Sequence, residues 1–277
     1  MTIRRVLVVG FGRMGQGLTS WLACSGIEVV VQTRRATERC RTDFESAMMR
    51  IAERMKPGPD TVPEVLKRVN FVNDFDNNMD WIVECLEEDL RIKSEFLNSL
   101  SKNYSGIVST NTSTLTIEAL STHVPNPSLF LGTHFLNPVP VIPLVEIIFT
   151  DRTDYGAIST ICEFLKEHGK IPVKVPDVHG FVVNRILFAA LFQAMELLDA
   201  QSVTAHAIDT CMKEGCSWPM GPLALADYIG LDVCESIMKS LTQDTSFPYR
   251  NIPQVLQRLL RNDHLGRKNH KGFYNYD

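Results

Sequence analysis

A glycine-rich turn near the start of the chain constrains its fold more than any other feature. The apolar stretch Arg5–Val9 predicts a β-strand, Gly10, Gly12 and Gly15 follow with the spacing G-x-G-x-x-G, and an apolar-periodic helix comes next. In this pattern the first glycine permits a tight turn, the second admits a phosphate group, and the third allows close packing of the helix. A second strand, predicted for residues 27–32, completes a βαβ unit. The turn therefore predicts a dinucleotide-binding α/β fold.

Strand and helix patterns continue to alternate as far as about residue 180. Further strands are predicted for residues 80–86 and 105–109, and helices for residues 43–56, 62–68, 90–102 and 115–121. Thr112, Ser113 and Thr114 are candidate N-caps of the last of these helices. We therefore predict a Rossmann-type doubly wound, largely parallel sheet over residues 1–180.

From about Phe181 the pattern becomes helical, which predicts a smaller all-α domain over residues 181–277. Its first segment, VVNRILFAALFQAMELLDA, is apolar on nearly all sides and must be buried, either in a bundle or against another chain. Because a domain of this size offers only a small core, we predict that it pairs with a second copy to form a homodimer.

The residues at the end of the second strand indicate which nicotinamide cofactor the domain prefers. Dinucleotide-binding domains that use NAD carry an acidic residue about 20 residues after the glycine turn, where it binds the ribose hydroxyls. Here Gln32 is followed by Thr33, Arg34 and Arg35, without an acid. A hydroxyl and guanidinium groups favour a 2′-phosphate, so we predict NADP(H) in preference to NAD(H). Arginines on a solvated loop are the alternative.

A histidine and a glutamate in the tract THFLNPVPVIPLVEII form the second candidate site. His134 precedes a turn interrupted by prolines, and Glu146 lies within a run of strand-forming apolar residues. A carboxylate in such a run needs a partner, and an imidazole is a natural one. The pair would serve as a general acid/base. The alternative is structural: His134 would be an ordinary polar residue of the turn, and Glu146 a charged residue on an edge strand.

Composition and charge exclude several other classes of protein. The net charge of −4 gives no indication of binding to nucleic acid or to an acidic membrane surface. The seven cysteines include no C-x-x-C pair and no metal-binding spacing, which is typical of reduced thiols. No apolar run approaches the roughly 18 residues of a membrane span. We expect a cytoplasmic location and no metal.

Seven tracts of the sequence resemble the L-3-hydroxyacyl-CoA dehydrogenases, and the chain resembles in length the short 3-hydroxybutyryl-CoA dehydrogenases. The tracts occur in the family's order and with its spacing. They are VLVVGFGRMGQG, WIVECLEEDLRIK, STNTSTLTI, GTHFLNPVPVIPLVEII, HGFVVNRIL, AIDTCMKEGCSWPMGPLALADYIGLD and GRKNHKGFYNYD. The resemblance implies interconversion of a 3-hydroxyacyl and a 3-ketoacyl thioester with a nicotinamide cofactor, in fatty acid metabolism.

The resemblance also assigns roles to individual residues. His134 matches the catalytic histidine, Glu146 its acidic partner, Ser113 the active-site serine and Asn184 the substrate-facing asparagine. On the cofactor side the matching residues are Glu88 and Lys93, together with the turn residues Gly10, Gly12, Arg13, Met14 and Gly15. Asn137 fits a substrate or nicotinamide contact more loosely, and Lys56 matches a lysine used for CoA.

Most of these residues have a structural interpretation as well. Ser113 and Asn184 could act only as helix caps, although an asparagine inside an apolar helix is costly without a partner. Glu88 could belong to a solvated, acidic strand end. Lys93 could be an ordinary surface lysine on an exposed helix position.

The chain departs from the family pattern in the region of the CoA contacts. Residues 36–70 look shortened, and only Arg50, Arg54 and Lys56 are candidates for the CoA phosphates. A hydroxyacyl group carried by an acyl carrier protein, as in a specialised biosynthetic pathway, is therefore an alternative substrate. An alternative of another class is a nucleotide-binding or structural protein without turnover.

Overall fold

A computed structural model of the chain describes residues 2–34, 38–54, 62–75, 78–200 and 203–276. The chain divides into two compact units, Met1–Asp177 and Val178–Asp277. This division lies close to the boundary predicted after residue 180. The candidate residues Arg35 and Lys56 lie outside the described residues, as do the side chains of Arg50 and Arg54.

The N-terminal unit contains one eight-stranded sheet in the order β3-β2-β1-β4-β5-β6-β7-β8. Its strands are β1 (Arg5–Val9), β2 (Glu28–Gln32), β3 (Val69–Val72), β4 (Trp81–Glu84), β5 (Ile107–Thr110), β6 (Phe130–Phe135), β7 (Leu144–Ile148) and β8 (Ile171–Val175). Its helices are α1 (Arg13–Cys24), α2 (Glu38–Arg54), α3 (Val62–Leu66), α4 (Leu90–Ser99), α5 (Ile117–Ser121) and α6 (Tyr155–Glu167), with a 3₁₀ helix at Pro127–Leu129.

Neighbouring strands of this sheet are parallel, with the single exception of β6 and β7. A short connection, residues 136–143, joins these two strands and reverses the chain direction, whereas the parallel pairs need longer crossovers. β1 and β4 lie side by side at the point where the strand order reverses, which is where ligands bind in open α/β sheets. The predicted Rossmann-type fold class is confirmed.

The strand β3 and the beginning of α5 differ from the sequence-based expectation. β3 was not predicted, because its four residues follow directly on the short helix α3 and show little alternation. Helix α5 begins at Ile117, and Thr112, Ser113 and Thr114 do not cap it. Instead, the carboxylate of Asp177 accepts hydrogen bonds from the backbone N–H groups of Ile117 and Glu118 at 2.8 and 2.7 Å. A cap supplied by a distant residue leaves no local sequence signal.

The C-terminal unit is helical, as predicted, around its own apolar core. Its helices are α7 (Val183–Asp199), α8 (Ala205–Cys216), α9 (Pro222–Ile229), α10 (Leu231–Gln243) and α11 (Gln254–Arg261), with a 3₁₀ helix at Arg267–Asn269. Asp227 is fully buried and accepts hydrogen bonds from the backbone N–H groups of Phe273 and Tyr274 and from the hydroxyl of Tyr276. These bonds hold the end of the chain against α9.

None of the helices in the described ranges combines the length and the hydropathy that crossing a bilayer requires.

Candidate active site

The glycine turn lies at the carboxyl end of β1, beside the carboxyl end of β4, and forms one wall of a cleft of about 700 Å³. The lining residues come from the turn, from the end of β2 and from the segment after β4. They include Gly10, Phe11, Gly12, Arg13, Met14, Gln32, Thr33, Arg34, Asn73, Cys85 and Glu87. Helix α1 begins at Arg13, so its first backbone N–H groups lie at the cleft, where they can bind an anion.

Each glycine of the turn meets a different constraint. Gly10 has φ +96°, a conformation that favours glycine, and a Cβ at this position would lie 2.7 Å from the carbonyl oxygen of Cys85. A Cβ on Gly15 would lie 2.0 Å from the carbonyl oxygen of Gly10. By contrast, a Cβ on Gly12 would have no atom of the other described residues within 4 Å, its two chain neighbours aside. The first and third glycines are needed by the protein itself, whereas the space at Gly12 is open for a ligand.

The end of β2 offers neutral and cationic groups to the cleft. Gln32 occupies the last position of the strand, and its Nε2 donates to the carbonyl oxygen of Asn73 at 3.1 Å. Its Oε1 is buried, and no donor among the described residues reaches it. A buried acceptor in a cleft wall suits a donor from a ligand, such as a ribose hydroxyl. Thr33 is partly buried and Arg34 is exposed, and both line the same cleft.

His134 and Glu146 form a buried pair on adjacent strands. The antiparallel register of β6 and β7 places the two residues directly opposite each other. Nδ1 of His134 lies 2.8 Å from Oε2 of Glu146, and the two side chains are 4% and 1% exposed. Cross-strand neighbours of this kind touch because their Cβ atoms lie about 5 Å apart. The carboxylate therefore holds Nδ1 of the imidazole and orients the ring.

The loop that carries Ser113 is held by Glu88. A single oxygen, Oε1 of Glu88, accepts hydrogen bonds from the hydroxyl of Thr112 at 2.6 Å and from the backbone N–H of Ser113 at 2.8 Å. The backbone N–H and the hydroxyl of Thr114 donate to the same oxygen at 2.8 and 2.9 Å. The predicted cofactor residue Glu88 thus also fixes the backbone of the predicted active-site serine.

A buried ion pair lies beneath this loop. Nζ of Lys93 donates to both carboxylate oxygens of Glu84 at 2.9 and 3.0 Å, and lies 3.4 Å from Oε2 of Glu88. The hydroxyl of Thr110 donates to Oε2 of Glu84 at 2.6 Å. The side chains of Lys93 and Glu84 are only 1% and 0% exposed. The interpretation of Lys93 as an ordinary surface lysine is therefore wrong.

The charges of this cluster shift the pKa values of its members in opposite directions. Burial alone would raise the pKa of Glu88, but the Lys93 ammonium and the hydrogen bonds from the 112–114 loop outweigh it and lower that pKa. Burial alone would lower the pKa of Lys93, but the carboxylates of Glu84 and Glu88 outweigh it and raise that pKa. Both groups therefore keep their charges near neutral pH. Burial also raises the pKa of the Cys85 thiol beside them, which keeps it protonated.

Two residues of this region were missed by the sequence analysis. Glu84 ends the apolar strand WIVE, and an acid at the end of a buried strand, nine positions before a lysine, was the available signal. Asn111 is 7% exposed, and its Oδ1 accepts the backbone N–H of Phe135 at 2.9 Å. The backbone pairing of β5 with β6 ends at Thr110. The side chain of Asn111 therefore extends the contact between these strands, and so connects the loop of Ser113 with the strand of His134.

Two further predicted residues, Asn137 and Asn184, belong to other elements. Asn137 is exposed in the connection between β6 and β7. Asn184 belongs to the C-terminal unit, where it lies in the first turn of α7 with 8% of its surface exposed. The next residue, Arg185, donates to Asp244 at 2.7 Å and to Ser246 at 2.7 Å and so fastens this helix end.

Models of two protein domains match nearly the whole chain. The model described as "3-hydroxyacyl-CoA dehydrogenase, NAD binding domain" matches residues 5–178. The model described as "3-hydroxyacyl-CoA dehydrogenase, C-terminal domain" matches residues 180–276.

Individual relatives agree with these matches over their full length. The chain is 37% identical to a probable 3-hydroxybutyryl-CoA dehydrogenase of Deinococcus radiodurans, over 97% of this chain and 99% of that protein. It is 33% identical to the human mitochondrial hydroxyacyl-coenzyme A dehydrogenase, over 99% of this chain and 91% of that protein. A crystal structure of (S)-3-hydroxybutyryl-CoA dehydrogenase from Ralstonia eutropha superimposes with a TM-score of 0.90 at 31% identity, covering 100% of both chains.

Proposed function

The chain belongs to the 3-hydroxyacyl-CoA dehydrogenase family of oxidoreductases, and on this premise we propose that it interconverts a 3-hydroxyacyl and a 3-ketoacyl thioester. The observation that carries the proposal is the buried contact of 2.8 Å between His134 and Glu146. Such a pair provides one site for a proton on an otherwise apolar strand. Relatives named 3-hydroxybutyryl-CoA dehydrogenase support a short acyl chain.

The proposed acid/base chemistry uses the two nitrogens of His134 differently. A nicotinamide dinucleotide held at the glycine turn would supply the acceptor for the hydride that leaves C3 of the hydroxyacyl group during oxidation. Nε2 of His134 takes the hydroxyl proton, so a C–H bond and an O–H bond break and a C=O bond forms. Glu146 keeps the ring oriented through Nδ1 and stabilises the imidazolium, as the carboxylate of a catalytic triad does. In the direction of reduction the same nitrogen returns the proton.

Ser113 and Asn184 are proposed to stabilise the substrate oxygen. The hydroxyl of Ser113 would donate to the oxygen on C3, where negative charge develops as the proton leaves. Because Glu88 binds the backbone N–H of Ser113, the backbone that carries this hydroxyl is held before substrate arrives. The amide of Asn184 would donate to the same oxygen or to the thioester carbonyl. Asn137 would add a contact to substrate or nicotinamide.

The cleft at the glycine turn fits a nicotinamide dinucleotide. The open space at Gly12 and the first N–H groups of α1 suit a pyrophosphate, with Arg13 and Met14 beside it. The buried Oε1 of Gln32 suits a ribose hydroxyl. Glu88 and Lys93 are proposed to act on the cofactor side through the charge of their cluster, because Lys93 itself is buried.

We propose that NADP(H) is preferred over NAD(H). Gln32 brings no negative charge to the end of β2, and Thr33 and Arg34 face the cleft with a hydroxyl and a cation. Charge-assisted hydrogen bonds of this kind contribute about 1.5–3 kcal/mol each. The ratio of kcat/KM for NADPH and NADH, followed at 340 nm with acetoacetyl-CoA, tests this directly. A higher kcat/KM with NADH would contradict the preference, and Arg34→Ala should lower kcat/KM for NADPH only.

The thioester carrier is tested by the same assay. Acetoacetyl-CoA is compared with the acetoacetyl group attached to an acyl carrier protein, at equal cofactor concentration. We propose CoA as the carrier, because relatives across the full length are named for CoA substrates. Turnover of only the carrier-protein substrate would favour a specialised biosynthetic role. No turnover of either substrate would favour a nucleotide-binding protein without catalysis.

A further inference from the structure

Lys170 is a buried cation that the proposed chemistry does not use. It lies between α6 and β8, and 5% of its surface is exposed. Its Nζ donates to the carbonyl oxygen of Val139 and to that of Ile142, the latter at 2.8 Å. Among the described residues no carboxylate pairs with it, and burial lowers its pKa to about 8. A buried ammonium that is bound only by backbone carbonyls and an aromatic ring needs a structural or functional reason.

The carbonyls that it binds belong to the connection between β6 and β7. Within this connection the backbone N–H groups of Val141 and Ile142 donate to the carbonyl oxygen of Pro138 at 3.0 and 2.9 Å. These bonds form one tight turn, and the ammonium of Lys170 joins two of its carbonyls, those of Val139 and Ile142. Hydrogen bonds from a charged donor are about twice as strong as neutral ones. The turn is therefore held from inside the protein.

The lysine itself is rigidly placed. Its backbone N–H donates to the carbonyl oxygen of Leu165 at 2.8 Å, and that of Gly169 donates to Lys166 at 3.1 Å, which closes the end of α6. Its Nζ lies 5.3 Å from the centre of the Trp21 ring. The indole N–H of Trp21 donates to the carbonyl oxygen of His168 at 3.2 Å. Lys170 thus links the end of α6, helix α1 and the turn.

The turn is also pressed against the helix that follows the glycine loop. Val139 is 1% exposed, and a Cβ on Gly17 of α1 would lie 3.2 Å from its side chain. Movement of the turn away from Lys170 would therefore disturb its packing on α1. The turn begins directly after Asn137 and ends at Ile142, two residues before the start of β7 at Leu144, and Glu146 lies two residues further along that strand.

We propose that Lys170 is a positioning residue whose ammonium fixes the 138–142 turn and thereby sets Asn137 and the alignment of His134 with Glu146. Its effect on turnover rests on the proposed function, whereas its effect on the turn does not. A displacement of about 1 Å at reacting groups can cost a hundredfold in rate. Loss of the ammonium should therefore reduce kcat more than it reduces cofactor affinity, because the turn does not line the dinucleotide cleft.

The experiment compares Lys170→Met, which keeps most of the side-chain length and removes the donors, with Lys170→Arg, which keeps a charged donor. Lys166→Met, which changes an exposed lysine of the preceding helix α6, is the matched control. Hydrogen exchange measured by mass spectrometry follows the amides of residues 138–145, and steady-state kinetics follow turnover of acetoacetyl-CoA.

In Lys170→Met we expect exchange in residues 138–145 to become about tenfold faster or more, with the other peptides of the N-terminal unit unchanged. We expect kcat to fall by about 10- to 100-fold, a cofactor Kd within about twofold of wild type, and partial recovery of both readouts in Lys170→Arg. Unchanged exchange in residues 138–145, or equally faster exchange throughout the unit, would overturn the proposal. An inactive wild type would contradict the proposed function alone, because the exchange readout needs no substrate.

Discussion

At the scale of single residues, the imidazole of His134 is the group on which the proposed chemistry depends. Glu146 holds one ring nitrogen at 2.8 Å, and both side chains lie in a sheet that excludes water. The pair is defined by strand register, because a shift of one residue between β6 and β7 would turn one of the two side chains to the other face. Strand register therefore brings the two residues together, and we expect the turn that joins the strands to set their fine alignment.

We expect His134→Ala to lower kcat by about 10²- to 10⁴-fold, because the variant lacks the proposed general acid/base. Cofactor affinity should stay close to that of wild type, since His134 does not line the dinucleotide cleft. Steady-state kinetics at 340 nm and cofactor titration by fluorescence measure the two quantities. His206→Ala, an exposed histidine of α8, is the control. A fully active His134→Ala variant would disprove the proposed mechanism.

The glycines of the turn allow folding and ligand binding to be separated. Gly12→Ala should fold with nearly the wild-type free energy of unfolding, because, beyond the chain neighbours, no described residue lies within 4 Å of the added Cβ. Cofactor Kd should rise by at least about tenfold, since the methyl group occupies the space for a pyrophosphate. Gly15→Ala should instead lose stability, because its Cβ meets the Gly10 carbonyl. Urea unfolding and cofactor titration of both variants distinguish these outcomes.

At the scale of secondary-structure elements, one ion-pair cluster joins β4, α4 and the loop after β5. Glu84 ends the strand, Lys93 comes from the helix, and Glu88 binds the loop of Ser113. A lysine between two carboxylates neutralises charges that would otherwise be costly to bury. The cluster therefore places the serine loop relative to the sheet, rather than adding much net stability by itself.

Removing the lysine alone should be strongly destabilising. We expect Lys93→Met to lower the free energy of unfolding by about 3–5 kcal/mol, because Glu84 is left charged in a fully buried position. The double variant Lys93→Met with Glu84→Gln should recover part of this loss. Lys102→Met, at an exposed lysine just after α4, should leave the free energy of unfolding nearly unchanged. Equal losses in the single and double variants, measured by urea unfolding, would show that the charge of Glu84 is not the cause.

The same cluster gives the stability a defined pH dependence. The pKa of Glu88 is lowered from its ordinary 4.5, so its contribution is present above that value and is lost as the pH falls through the folded-state pKa. The pKa of Lys93 is raised from its ordinary 10.5, so its contribution is present below that value and is lost as the pH rises through the folded-state pKa.

We therefore expect the difference in unfolding free energy between wild type and Lys93→Met to be greatest between about pH 5 and pH 10. It should narrow below this range as Glu88 becomes protonated in the folded protein. Urea unfolding at several pH values measures the difference. A constant difference down to about pH 3 would show that Glu88 and Lys93 do not interact as described.

At the scale of the whole molecule, the C-terminal unit carries exposed apolar side chains that favour association with a second copy of the chain. Helix α7 exposes Ile186 and Leu197, which are 68% and 42% exposed within a single chain. Eleven residues apart, they lie on the same face of the helix, because three turns contain about eleven residues. Two large apolar side chains on one helix face favour contact with another surface.

We predict that the protein forms a homodimer, with about twice the chain mass of 31.2 kDa in light scattering at micromolar concentration. Ile186→Glu should shift the population towards the single-chain mass, because a charge would be buried in the interface. Tyr155→Glu, at an exposed position of the N-terminal unit, should leave the mass unchanged. A single-chain mass for the wild type would disprove the dimer.

Local sequence patterns determined most of the architecture and part of the site. The order strand, G-x-G-x-x-G, helix depends on neighbours in the chain, so the dinucleotide fold was predicted from it and confirmed. The partnership of His134 and Glu146 was also foreseen, because an acid inside an apolar strand has few other ways to be stable. The roles of these residues stay predictions that the variants above test.

Only the tertiary structure decided which distant groups support the site. The cap of α5 comes from Asp177, the partner of Lys93 is Glu84 across β4 and α4, and Lys170 reaches the turn before β7. The contacts of Asp177 and Lys170 have no sequence signature, because a side chain that bonds to a remote backbone group is chosen by position in space and not by its neighbours in the chain. Periodicity encodes the elements, whereas the positions of buried charges depend on how those elements pack.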